Sequence, residues 1–196
     1  MIDAHEPPES QRTGMNAYRE LVRASVGPER FAHIERVVEL ARQVGESNGF
    51  SQDELAKVEL AALLHDAARD LDDGELLRLA PPQNQVEIDH PLSVHGRAGR
   101  RMAEQWGVTD ETVLEAIEGH VFGVPLSNRV GAAVYVADVC EPGRGVNHDL
   151  RELALADLDA AYRRAVAVKV DYLRRCGTEV HPATLAAYES LGQRSA

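Results

Sequence analysis

The 196-residue sequence predicts an all-α fold, a single helical bundle. Three observations predict it. Apolar residues recur at helical spacing in almost every segment, no segment shows a convincing strand alternation, and capping or breaking residues separate the periodic stretches.

The elements follow in order. Residues 1–14 are polar, contain Pro7 and Pro8, and read as a disordered tail ahead of one domain over 15–196; translation from Met15 is compatible with this. A short helix runs from about Met15 to Val26 and stops at Gly27-Pro28. Pro28 opens a longer helix that buries Phe31, Ile34, Val37, Val38, Ala41 and Val44 and ends at Asn48-Gly49. Ser51 with Glu54 forms a capping-box pattern for a helix to about Ala67, and Asp72 caps a short one through Leu79. Pro81, Pro82 and Pro91 mark residues 80–91 as a loop. A helix from about Ser93 to Gln105 is stopped by Gly107, and Thr109 caps the next, through Glu118. Ser127 caps a helix to about Cys140, followed by a turn over Pro142 to Gly145. Helices over about Asp149–Leu155 and Asp157–Cys176 come next, the second with Leu158, Ala161, Tyr162, Ala165, Val168 and Tyr172 on one face. Pro182 opens the last helix, to about Leu191.

Composition narrows the partners. Hydrophobic residues make up 44% of the chain, enough for a sizeable core. A net charge of −11 argues against a nucleic-acid polymer, which calls for a basic face. An acidic protein still binds phosphorylated small molecules when metal ions supply the positive charge. Cys140 and Cys176 show neither metal nor disulfide spacing, which suits a reducing cytoplasm, and no apolar run approaches a membrane span. Cys140 is expected simply to pack, and a homodimer is left open.

The chemistry-bearing residues lie on buried faces or at helix ends. His65-Asp66 closes the apolar run Leu60-Ala61-Ala62-Leu63-Leu64. His33 shares a face with Val37, Leu40, Ala41 and Val44; Asp138 follows Val130, Val134 and Ala137 at helical spacing. His120 ends the helix that buries Val113, Leu114 and Ile117, and His95 precedes Gly96, where backbone or ligand can approach closely. Alone, each reads as a hydrogen-bonded core residue or a cap. Four histidines and two aspartates together read as ligands. Unpaired carboxylates are costly to bury and need a cation. Imidazole and carboxylate without thiolate suit iron, manganese, zinc, nickel or cobalt, and six ligands exceed one tetrahedral zinc. They fit two ions sharing a bridging carboxylate, with Asp66 as the bridge beside its neighbour His65.

The order His33, His65-Asp66, His95, His120, Asp138 resembles the HD-domain phosphohydrolases. The surrounding segments resemble the YqeK branch, the symmetrical bis(5′-nucleosyl)-tetraphosphatases: Arg30-Phe31-Ala32-His33, Ala62 to Asp66 with Ala68-Arg69, His95-Gly96, Ala116 to His120, and Ala137 to Arg144. The resemblance covers about Arg30 to the C-terminus. It implies an HD-domain bundle with its metal site in the core. It also implies two divalent or mixed-valence transition-metal ions, iron first and manganese among the alternatives, and cleavage of diadenosine tetraphosphate into two ADP. His33, His65, Asp66 and Asp138 would hold one ion, and Asp66, His95 and His120 the other. Asp66 would also orient the nucleophile, as the catalytic residue. Nucleotide contacts are implied at Arg30, Arg69, Arg144 and in the segment from His181 to Thr184. Arg69 replaces the more usual Lys, and Val121-Phe122 replace hydroxyl residues that would offer a phosphate hydrogen bond. Arg97, Arg100 and Arg101 read as a solvated helix face. The alternatives are another HD-domain nucleotide hydrolase, a 5′-nucleotidase or nucleoside triphosphate hydrolase, or a non-catalytic nucleotide sensor.

Overall fold

The structure, a computed structural model, describes residues 9–192, and these contain helices and no strand. Eleven α-helices are present among them: α1 Glu9–Ser25, α2 Pro28–Ser47, α3 Gln52–Leu64, α4 Asp73–Leu79, α5 Gln85–Asp89, α6 His95–Gln105, α7 Glu111–Gly119, α8 Arg129–Cys140, α9 His148–Ala156, α10 Leu158–Arg175 and α11 Pro182–Ser190. Short 3-10 turns, Pro91–Val94 and Pro142–Arg144, sit before α6 and after α8.

The sequence explains most boundaries. Pro28 sits in the first turn of α2, Ser51 and Glu54 complete the capping box of α3, and Asp72 and Asp157 cap α4 and α10. Four expectations differ, each for a physical reason. The helix expected from Met15 begins at Glu9, because Gly14 costs a helix only about 1 kcal/mol and does not stop it. The expected tail is therefore helical over 9–14, and its residues 1–8 lie outside the described ones. Asp110 and Asn128, each one residue after the expected Thr109 and Ser127, cap α7 and α8; the Asn128 amide also donates to the Thr112 carbonyl and to Glu115, tying α8 to α7. The expected loop over 80–91 contains α5, capped by Asn84 and anchored by the buried Glu87.

Helix α8 is apolar on every side from Val130 to Ala137 and forms the axis of the core. It packs on α2, α3, α7, α9 and α10, and α7 packs in turn on α3 and α6. A smaller cluster of Ala68, Leu76, Ala80, Val94 and Ala98 seats α4 and α6. Gly96 permits the tight α6–α7 approach: a Cβ there would meet the Glu118 carbonyl oxygen at 2.5 Å. At α10 the apolar stripe leaves the core after Ala165. Leu158, Ala161, Tyr162 and Ala165 are buried as expected, whereas Val168 and Tyr172 are 55% and 58% exposed.

Candidate metal centre

Each candidate ligand comes from a different point where the bundle converges. His33 lies on the buried face of α2, His65 and Asp66 follow α3, His95 begins α6, His120 follows α7, and Asp138 lies in the last turn of α8. All six meet. The two oxygens of Asp66 face different partners: Oδ2 is 3.6 Å from His65 Nε2 and 3.9 Å from His33 Nε2, while Oδ1 is 3.3 Å from His95 Nε2 and 3.4 Å from His120 Nε2. Asp138 Oδ1 lies 3.1 Å from His33 Nε2 and 4.0 Å from His65 Nε2.

The other imidazole nitrogens fix the tautomers. His65 Nδ1 donates to the Ala62 carbonyl at 2.7 Å, His95 Nδ1 to Leu92 at 2.6 Å and His120 Nδ1 to Ile117 at 2.7 Å. A carbonyl only accepts, so these Nδ1 atoms carry protons, and in the neutral imidazole it is Nε2 that presents the lone pair. His33 Nδ1 faces the Glu141 carboxylate at 3.0 Å. Supports of this kind orient metal-binding histidines and raise their basicity.

The donor set fits cations. His95 Nε2 and His120 Nε2 face each other at 3.0 Å, two lone pairs with no proton between them in these tautomers. His33 Nε2 and His65 Nε2 are buried with no hydrogen-bond partner. Donor atoms of His33, His65 and Asp138 lie within 4.8 Å of one another, as do those of His65, Asp66 and His120. The ionisation states suit the same role. Burial drives His65 down to about 4 against the attraction of Asp66, and burial also lowers His95, so both favour the neutral form. Burial pushes the Asp66 carboxyl up, but His65, His120 and His95 outweigh it and hold the group well below the usual carboxylate range. Asp138 is likewise lowered: burial opposes, and the imidazole of His33 at 3.1 Å, with His65, His120 and Arg144, outweighs it.

These features match a known family. The model of the HD domain matches residues 30–160. The chain belongs to the HD-domain family. It is similar to the symmetrical bis(5′-nucleosyl)-tetraphosphatase of Halalkalibacterium halodurans, with 30% identity over 88% of this chain and 94% of that one. The Bacillus subtilis protein of the same name is 29% identical over 87% and 93%. An HD superfamily hydrolase of Clostridium acetobutylicum, described as involved in NAD metabolism, superposes with a TM-score of 0.81 at 26% identity, covering 92% of this chain and 97% of that one.

In this HD domain four of the candidate ligands, Asp66, His95, His120 and Asp138, line a pocket of about 520 Å³. Arg30, Arg69 and Arg144 line it. Arg30 Nη1 donates to Asp66 Oδ2 at 2.9 Å, and Arg144 donates to the carboxylate and the backbone carbonyl of Asp138. His181 and Thr184 are not among the lining residues. His181 instead caps α11, stacks on Phe122 at 3.6 Å between ring centroids, and lies 3.0 Å from Glu87 Oε1; Thr184 is buried beneath it. The cause is Glu87, whose carboxylate inside the expected loop recruits both His181 and Arg97. Arg97 is therefore not on a solvated face, and Arg100 joins Glu104, Glu111 and Glu118; of the three, Arg101 alone stays largely exposed. Glu141 carries no assigned role in the sequence reading. It is buried, accepts from Arg36 as well as supporting His33, and its carboxyl is lowered to about 2, burial being outweighed by these bonds. Its one sequence signal is its place between Asp138 and Pro142. Lys169 and Tyr135 also line the pocket without having been singled out.

Proposed function

We propose that this HD domain hydrolyses diadenosine tetraphosphate symmetrically, giving two ADP. The observation that carries the reading is Asp66, whose two oxygens each face a separate pair of imidazole nitrogens. Relatives of that activity, matched over more than nine-tenths of their length, support it.

His33, His65, Asp66 and Asp138 would hold one ion and Asp66, His95 and His120 a second, with iron the metal proposed first and manganese among the other metals the same donors accept. Bound there, such ions supply Lewis acidity, neutralising phosphate oxygens and acidifying water near the substrate. The chain does the rest. Arg30 and Arg144, already held on the carboxylates of Asp66 and Asp138, are placed to bind the phosphates, and Arg69 adds a third guanidinium. Asp66 is anionic and fixed from both sides, so it orients the attacking water rather than taking up a proton early. His65, His95 and His120 hold protons at Nδ1 on backbone carbonyls, away from the substrate. Hydroxide adds in line to an inner phosphorus, the bridging P–O bond breaks, and ADP leaves from the far side.

A small nucleotide rather than a polymer fits an acidic chain with cations gathered in one pocket. Among the described residues no helix is long and apolar enough to cross a membrane. Both cysteines are free thiols, which supports placing the enzyme in the cytoplasm. The test is product analysis with iron- or manganese-reconstituted protein and diadenosine tetraphosphate. Two ADP per substrate supports the reading; ATP with AMP, or free phosphate from mononucleotides alone, contradicts it.

A further inference from the structure

A dinucleotide cut at its centre carries an identical nucleoside diphosphate on each side of the scissile bond. The pocket must hold two such halves. Arg30 and Arg144 lie against Asp66 Oδ2 and Asp138. A different cation borders the half of the cluster where Asp66 Oδ1 faces His95 and His120: Lys169 of α10 donates to the carbonyl of Val121, the residue after His120, and lies near enough to Asp138 to feel its charge.

Lys169 belongs to a stripe. Ala165, Val168, Lys169, Tyr172 and Arg175 all line the pocket, and their spacing by three and four residues puts them on one helix face about 15 Å long. This is the face of α10 turned away from the core, which Val166 and Val170 of the same stretch still join. Its aromatic ring, Tyr172, and the neighbouring Val168 stand more than half exposed at the pocket wall. An exposed ring with cations one turn to either side has the composition of a nucleotide-stacking platform.

We infer that this face of α10 is the subsite for the second nucleoside diphosphate of the substrate, with Tyr172 stacking on the base and Lys169 taking the phosphates nearest the ligand cluster. The inference rests on the symmetrical cleavage proposed above. Arg175, also on the lining, adds positive charge. Stacking accepts either purine, because every base has a π-face.

The test compares full-length, metal-loaded wild type with Tyr172→Ala and Tyr172→Phe. Since Tyr172 is exposed, both variants should melt like wild type. The KM for diadenosine tetraphosphate should rise about five- to hundredfold in Tyr172→Ala and return towards wild type in Tyr172→Phe. Calorimetric titration with ADP should count two sites per chain in wild type and one in Tyr172→Ala. If wild type yields two ADP from the dinucleotide but Tyr172→Ala keeps its KM within twofold and still binds two ADP, the subsite is overturned while the activity stands. If wild type yields no ADP, the activity fails and the subsite falls with it.

Discussion

Glu141 acts at one remove from the pocket: it accepts from His33 Nδ1 at 3.0 Å and from Arg36 Nε at 2.7 Å. Replacing it with Gln removes the charge that makes His33 a stronger donor. Metal affinity should fall about 10- to 100-fold in Glu141→Gln, read from metal bound per chain in a chelator-buffered titration. An unchanged titration would reduce Glu141 to a packing role. The six candidate ligands were legible in the sequence because each breaks an apolar helical pattern, as His33 does on α2 and His65-Asp66 does after Leu64. Glu141 was not legible, since a glutamate before a proline reads equally as a solvent-facing cap. His181 and Thr184 went to another site because their partner Glu87 lies inside an apparent loop.

At the scale of elements, α6 and α7 must stay close for His95 and His120 to meet. Gly96→Ala would put a Cβ into the Glu118 carbonyl oxygen, a backbone atom that cannot step aside. The variant should lose about 1–3 kcal/mol of stability and bind less metal, because α6 carries His95 away from His120. Helix α10 is fixed against the turn after α7 by Tyr162, whose hydroxyl donates to the Val124 carbonyl at 2.7 Å and accepts from the Val124 amide at 2.6 Å. Tyr162→Phe leaves both peptide groups without that partner. A loss of about 1–3 kcal/mol is expected, with roughly 2–4 °C of Tm for each kcal/mol, measured by thermal melting. Caps and breakers located most helices because Ser51 and Asp72 bond to their own first turn and Pro28 fixes the φ of its own. The course of α10 beyond Ala165 could not be read that way. Periodicity reports which residues share a face, and only the tertiary fold decides whether core or pocket lies opposite.

For the whole molecule, the cluster joins α2, α6, α8 and the residues following α3 and α7, so a ligand bound there ties the bundle together. Chelation should lower the Tm, and re-addition of iron or manganese at about a hundredfold over its Kd should restore roughly 5–10 °C. A Tm indifferent to metal would mean that these residues hold none. The most direct measurement takes wild type and Asp66→Ala side by side, both reconstituted with iron under anaerobic conditions. Metal per chain and the products from diadenosine tetraphosphate are then counted. Wild type should bind two ions and release two ADP per substrate, while Asp66→Ala should bind less metal and release none. An Asp66→Ala protein that keeps two ions and full turnover would contradict the account.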